Sequence, residues 1–274
     1  MREQFYKLAR PDGWDFYTGR TINYRDAVGH IVRRKDFGKI KLCSNTCLHA
    51  SRDPNQAFIG ASIPCSVFHV EGKPVIEDNN KCGFKQLRVL EKLNPETVFK
   101  WRYKEACNPL NPLTINPPEI TEEHIKLLKV WASVWDSVRA SVWDSVGDSV
   151  GASVWDLVGA SVGASVRASV GASVWDSVGT SVWDSVWASV WASVRASVGA
   201  SVWDSVRVSV WDSVGAYIGY IFQPVVPGWE TYPYQCAVDL WKQGLIPSYD
   251  GKTWRLHGGQ DAKILWEQEE GRGR

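Results

Sequence analysis

The chain has 274 residues with a formal charge of +1, which is enough length for one large domain or two smaller ones and supplies no global field pointing to nucleic acid or a membrane surface. The charge is uneven: residues 1–130 balance at +6, 131–216 at −4 and 217–274 at −1. Six cysteines in 274 residues fall short of disulfide-scaffold density, so a reducing compartment is expected, and the opening MREQFYKLARPDGW has no apolar core of a secretory signal.

From residue 4 to 93 short apolar runs alternate with turn signals: QFYKLAR, PDGWD, TINYR, HIVRR, KIKLCS, SVFHVEGKPVIED and QLRVLEKL. An α+β N-terminal domain over 1–118 is expected. Within it, Cys43-x3-Cys47-x-His49 and Cys65-x3-His69 are the weak candidates for a metal site, since thiolates and imidazoles are zinc ligands. The spacing is not a paired CxxC arrangement, and small apolar core residues are the usual fate of unpaired cysteine. No metal, no cofactor and no catalytic residue is therefore assigned. His49 reads as a turn or core histidine.

The segment LCSNTCLHASRDPNQAFIGASIPCSVFHVEGKPV carries Cys43, Leu48-His49-Ala50-Ser51, Ala57 and Val70-Glu71-Gly72, followed by Val89-Leu90-Glu91. On these motifs the N-terminal stretch resembles an uncharacterised domain of phage and prokaryotic reading frames, a resemblance that implies no activity. At fold level the order of segments also resembles ADP-ribosyltransferase-like domains, which end in an E-x-E strand. The corresponding Phe84-Lys85-Gln86-Leu87-Arg88 has no glutamate pair. An enzyme on such a domain is the alternative functional reading.

PPEITEEHIKLLKVW is a helix start, with Thr121 at the N-cap and Glu122 and Glu123 in the first turn, giving a capping helix over 119–130. The tetrapeptide array then occupies 131–222. Valine stands at every fourth position from Val130 to Val214, nearly always preceded by serine. Residues 159–186 and 187–214 agree at 24 of 28 positions, the mark of segmental duplication.

In an α-helix a four-residue repeat advances by about 400°, so a valine stripe slides about 40° per repeat. The eight glycines between 147 and 215 each oppose helix by about 1 kcal/mol. With period two every tetrapeptide becomes equivalent, so a β-solenoid is expected, with a long or broken α-helix, or a disordered segment, as the alternatives. The A-S-V-x phrase resembles the A-(D/N)-L-x-x unit of pentapeptide-repeat proteins, one residue shorter. That resemblance implies Ala132 and Val134 pointing inward and Ser133 and Trp135 outward. Trp131, Trp135, Trp143, Trp155, Trp183, Trp187, Trp191, Trp203 and Trp211 would then form an exposed aromatic interaction surface.

Ile218 and Phe222 continue the valine register and would cap the array. A small helix-plus-strands module follows over 223–274. YQCAVDLWKQG is a helix stopped by Gly244, and SYDGKTWRLHGGQDAKILWE is a pair of strands with turns at Asp250-Gly251 and Gly258-Gly259. Trp241, Trp254, Leu256 and Trp266 are its expected core.

These readings converge on a non-enzymatic, phage-associated structural or interaction protein of the cytoplasm (the host's, if phage-encoded). The array would be a variable-length spacer or binding surface for a protein partner. No membrane partner is expected, and the repeat holds no apolar run of about 18 residues. A +6 balance spread over 130 residues leaves nucleic-acid association as the second alternative.

Overall fold

A computed structural model describes residues 3–35, 38–58, 60–146 and 212–270, with side chains up to Trp135 in the third stretch. The described residues are mixed α and β, with antiparallel sheets, and fall into two units, one within 1–107 and one from Asn108 onward.

The N-terminal unit is built on a four-stranded antiparallel sheet of β1 (Gln4–Ala9), β4 (Ser66–Glu71), β7 (Gln86–Leu93) and β2 (Ile31–Arg33), in that order. A second sheet orders β3 (Leu48–Ala50), β6 (Cys82–Phe84) and β5 (Pro74–Glu77). A single bridge between Tyr6 and Ser51 ties β1 to the end of β3. Phe5, Tyr24, Phe68, Val70, Phe84, Leu87 and Val89 fill the core. Phe5 meets Phe84 edge-on at 4.9 Å. A satellite cluster of Phe58, Phe99, Trp101 and Tyr103 gathers beside helices α1 (Pro95–Phe99) and α2 (Tyr103–Cys107).

Two expected strands are turns. TINYR lies in a turn region, and KIKLCS is bent because Cys43 has φ 55 and Thr46 Oγ1 accepts from the Lys41 N–H at 3.0 Å.

The C-terminal unit joins helix α3 (Glu122–Val146), a helix α4 over residues 212–222, α5 (Gln235–Lys242) and a three-stranded antiparallel sheet. The sheet orders β10 (Lys263–Glu269), β9 (Thr253–Gly258) and β8 (Leu245–Tyr249). Thr121 stands at the start of α3, its carbonyl accepting from Ile125 N–H at 3.2 Å. Its own N–H donates to His124 Nδ1 at 3.0 Å, while His124 Nε2 reaches Gln243 Oε1 at 2.8 Å.

The helix does not stop at 130. It continues through the first four tetrapeptides, so 131–146 are helical rather than β, and 212–222 are helical too. The reason lies in which side chains form the seam. His124, Leu128, Trp131 and Trp135, at spacings of four, three and four, are all buried. Over so few repeats the 40° drift of the valine stripe costs little. The outward placement expected for Trp131 and Trp135 is therefore corrected: Trp131 is 0% exposed and Trp135 4%. The solenoid expected for the rest of the array, and Trp155, Trp183, Trp187, Trp191, Trp203 and Trp211, lie outside the described residues, as does the side chain of Trp143.

Trp135 Nε1–H donates to Asp212 Oδ2 at 3.0 Å. In the same unit, Tyr217 stacks on Trp241 at 5.3 Å and accepts from the Leu110 N–H at 3.0 Å. Leu110 and Leu113 are thus part of this unit, which begins about ten residues before the expected boundary at 118. Trp241, Trp254 and Leu256 are buried as expected, while Trp266 is only half-buried. β8 was not anticipated. Pro247 masks it in the sequence, yet proline is tolerated there because β8 is a sheet edge.

Candidate functional site

The N-terminal unit encloses a cavity of about 440 Å³ between β1, the 11–24 turn region, the 43–51 segment and Ala57, Gly60 and Ala61. It is built on a charged residue placed where an apolar one belongs. Period two puts Lys7 on the same face of β1 as Phe5 and Ala9. The Lys7 ammonium lies 2.7 Å from Asp15 Oδ1, each side chain 12% exposed. Its nitrogen also sits 5.1 Å from the centre of the Tyr24 ring.

Asp15 is delivered by a tight reversal. Gly13 has φ +94, and a Cβ there would fall 2.4 Å from Asn23 Oδ1, so the turn requires glycine. The second carboxylate oxygen accepts from the Tyr17 and Thr18 N–H groups, each at 3.1 Å.

Burial opposes charge on both partners, and the partners overcome it. Burial alone would lower the Lys7 pKa, but the pull of Tyr24 and Asp15 leaves it raised above the ordinary lysine value. Burial alone would raise Asp15, and Lys7 with the Thr18 hydrogen bonds leaves it lowered. Burial raises Tyr24, against the opposing pull of Lys7.

Three of the five metal candidates meet in the same wall. Cys43 N–H donates to His49 Nε2 at 3.0 Å, and Cys47 Sγ lies 3.4 Å from that nitrogen. The accepted hydrogen bond fixes the neutral tautomer with its proton on Nδ1. Burial, reinforced by the charges of Lys7 and Lys81, pushes the His49 pKa down to about 4. Burial raises the Cys47 thiol, with Cys43 adding to the effect.

The other two candidates are elsewhere. Cys65 N–H donates to Tyr103 Oη at 2.7 Å, and burial pushes its thiol up to about 12. His69 stacks on Tyr6 at 6.4 Å, with Nδ1 3.5 Å from Glu91 Oε1. Among the described residues no group of three or more His, Cys, Asp and Glu is placed to hold a metal ion.

Sequence reasoning passed over Lys7, Asp15, Tyr24, Ser51 and Lys81, all of which line the cavity. One signal was available: in QFYKLA, lysine takes a position whose neighbours two residues away are apolar. Among the described residues no helix is long and apolar enough to cross a membrane.

Compared with protein-family models, curated proteins and solved structures, the chain finds no match.

Proposed function

We propose that this chain is a non-enzymatic binding protein. Its N-terminal unit takes a small ligand into the Lys7–Asp15 cavity, and the tetrapeptide array is a variable-length insertion in the C-terminal unit that serves a protein partner. One observation carries the reading: five groups of the cavity wall, Lys7, Asp15, Tyr24, Cys47 and His49, are held in resting forms. Lys7 stays an ammonium, Asp15 a carboxylate, Tyr24 a phenol and Cys47 a thiol. His49 stays neutral, and its one acceptor nitrogen already takes the Cys43 N–H.

A general base works best with a pKa near the operating pH, and a cysteine nucleophile needs its thiolate. Neither condition is met by Cys47 and His49. A preformed cavity with a few convergent polar groups suits binding. The resemblance of the Cys43–Glu91 region to a domain of phage and prokaryotic reading frames is the ground for a phage-associated setting.

Ligand-observed NMR with a fragment library on the full chain tests this. Fragments should compete for one site, and Ala61→Trp, which fills the cavity from its wall, should abolish their binding while the fold persists. Binding indifferent to Ala61→Trp would remove the cavity from the account.

A further inference from the structure

Ser51 is the unusual member of the cavity wall. It is 1% exposed, it lines the cavity, and among the described residues its Oγ has no hydrogen-bond partner. Buried hydroxyls are ordinarily paired. This one cannot swing out to find water, because the backbone is pinned on both sides: Ser51 N–H donates to Tyr6 O at 3.0 Å and Tyr6 N–H donates to Ser51 O at 2.7 Å.

Side chains alternate along extended backbone, so Ser51 shares a face with His49, about 6.6 Å away at a rise of about 3.3 Å per residue. His49 brings a second donor, since its proton is on Nδ1 when Nε2 accepts from Cys43. Around this pair, the described lining residues include four basic side chains, Lys7, Arg34, Lys35 and Lys81, against one acid, Asp15. Aromatic rings complete the wall at Tyr6, Phe16, Tyr17 and Tyr24. A basic bias attracts an anion, aromatic faces accept a flat ring, and an unpaired hydroxyl awaits an acceptor.

We infer that the cavity receives a small anionic compound built on a planar ring, a ring phosphate or ring carboxylate, with Ser51 Oγ donating to one of its oxygens. The inference rests on the cavity being a ligand site.

Calorimetric titration of the full chain with phenyl phosphate, benzoate and neutral benzyl alcohol tests it, alongside Ser51→Ala. The charged compounds should bind at least about tenfold more tightly than benzyl alcohol, with affinity falling as salt screens the basic lining. Whichever of phosphate and carboxylate binds more tightly identifies the head group. Ser51→Ala should weaken that binding by about fivefold, the worth of one hydrogen bond. It should leave the melting temperature of the unliganded protein unchanged or slightly higher, because the hydroxyl it removes has no partner among the described residues.

If benzyl alcohol binds as well as the anions, the inference fails while the cavity remains a ligand site. Unchanged anion affinity in Ser51→Ala also overturns it. If no ring compound binds at all, the inference fails, and the fragment screen with Ala61→Trp decides whether the cavity is a ligand site. Should Ser51→Ala not fold, the anion preference and its salt dependence in the unaltered protein still decide.

Discussion

Trp135 and Asp212 stand 77 residues apart in the chain, yet the indole N–H donates to the carboxylate at 3.0 Å with both side chains buried. They belong to the second tetrapeptide, 135–138, and to the copy at 211–214 that ends the valine series. The hydrogen bond therefore brings the two described ends of the array together. Trp135 is held further by edge-on contacts to Tyr249 at 5.9 Å and Trp254 at 6.1 Å. Asp212→Ala leaves a buried indole N–H unpaired and should cost about 1–3 kcal/mol in urea unfolding. A double-mutant cycle with Trp135→Phe should show the two losses to be strongly non-additive. Additive losses would mean that the pair does not act as one clasp.

With Trp135 and Asp212 paired, the length of chain between them is expected to be variable. Deleting 159–186, one whole 28-residue unit, rejoins Val158 to Trp187 in the four-residue phase. Loop-closure entropy changes slowly with length, so stability should change by less than about 1 kcal/mol. Deleting 159–188 shifts the phase by two and should melt lower. Thermal melts of both variants check this, and equal melting temperatures would show that register inside the array carries no weight.

The Lys7–Asp15 pair lines the cavity and is structural as well. Asp15→Asn leaves a buried ammonium without its counter-charge and should destabilise the protein by about 3–5 kcal/mol. The pH sign follows from the lowered Asp15 pKa: its contribution is full above the ordinary carboxylate value and is lost as pH falls through the lowered, folded value. Denaturant unfolding of the two proteins at neutral pH and at about pH 3 checks both the size and the direction, and the gap between them should narrow in acid.

His49 adds a second acid window. Its folded pKa of about 4 lies below the ordinary 6.5, so between these values the unfolded chain binds a proton that the folded chain does not. Stability should fall as pH drops from about 6.5 toward 4. His257, buried with its pKa also lowered by burial and hydrogen-bonded to Ser248 Oγ at 2.7 Å, contributes in the same direction. His49→Gln keeps a side-chain acceptor for the Cys43 N–H and should flatten part of the slope. An unchanged slope would show that His49 does not stay neutral in the fold.

Much of the frame was legible in the residues. QFYKLAR, HIVRR, SVFHVEGKPVIED and QLRVLEKL contain strands β1, β2, β4, β5 and β7, and Gly244 ends α5 with φ +78. Short strands without period-two alternation, such as Cys82–Phe84, gave no signal, because their register comes from partners distant in sequence. The array misled at its edges. Its internal equivalence argues for a β repeat, but burial of Trp131 and Trp135 against the C-terminal unit selects helix there, an override that tertiary packing supplies and local pattern does not. The cavity was the least legible feature. Lys7, Asp15, Tyr24 and Ser51 are scattered over 45 residues; Cys43, Cys47 and His49 marked one wall only as weak metal candidates, and the charged residue on an apolar strand face was the one further signal.

The most direct test of the cavity as the working site is ¹⁵N NMR of the histidine rings and backbone amides in the full chain, titrated with the tightest ring anion. The account predicts saturable shifts at the His49 ring and at the amides of Tyr6 and Ser51, with one dissociation constant for all three and the His257 ring unmoved. Shifts confined to His257 and its neighbours, or none at any histidine while binding is measured by calorimetry, would contradict it.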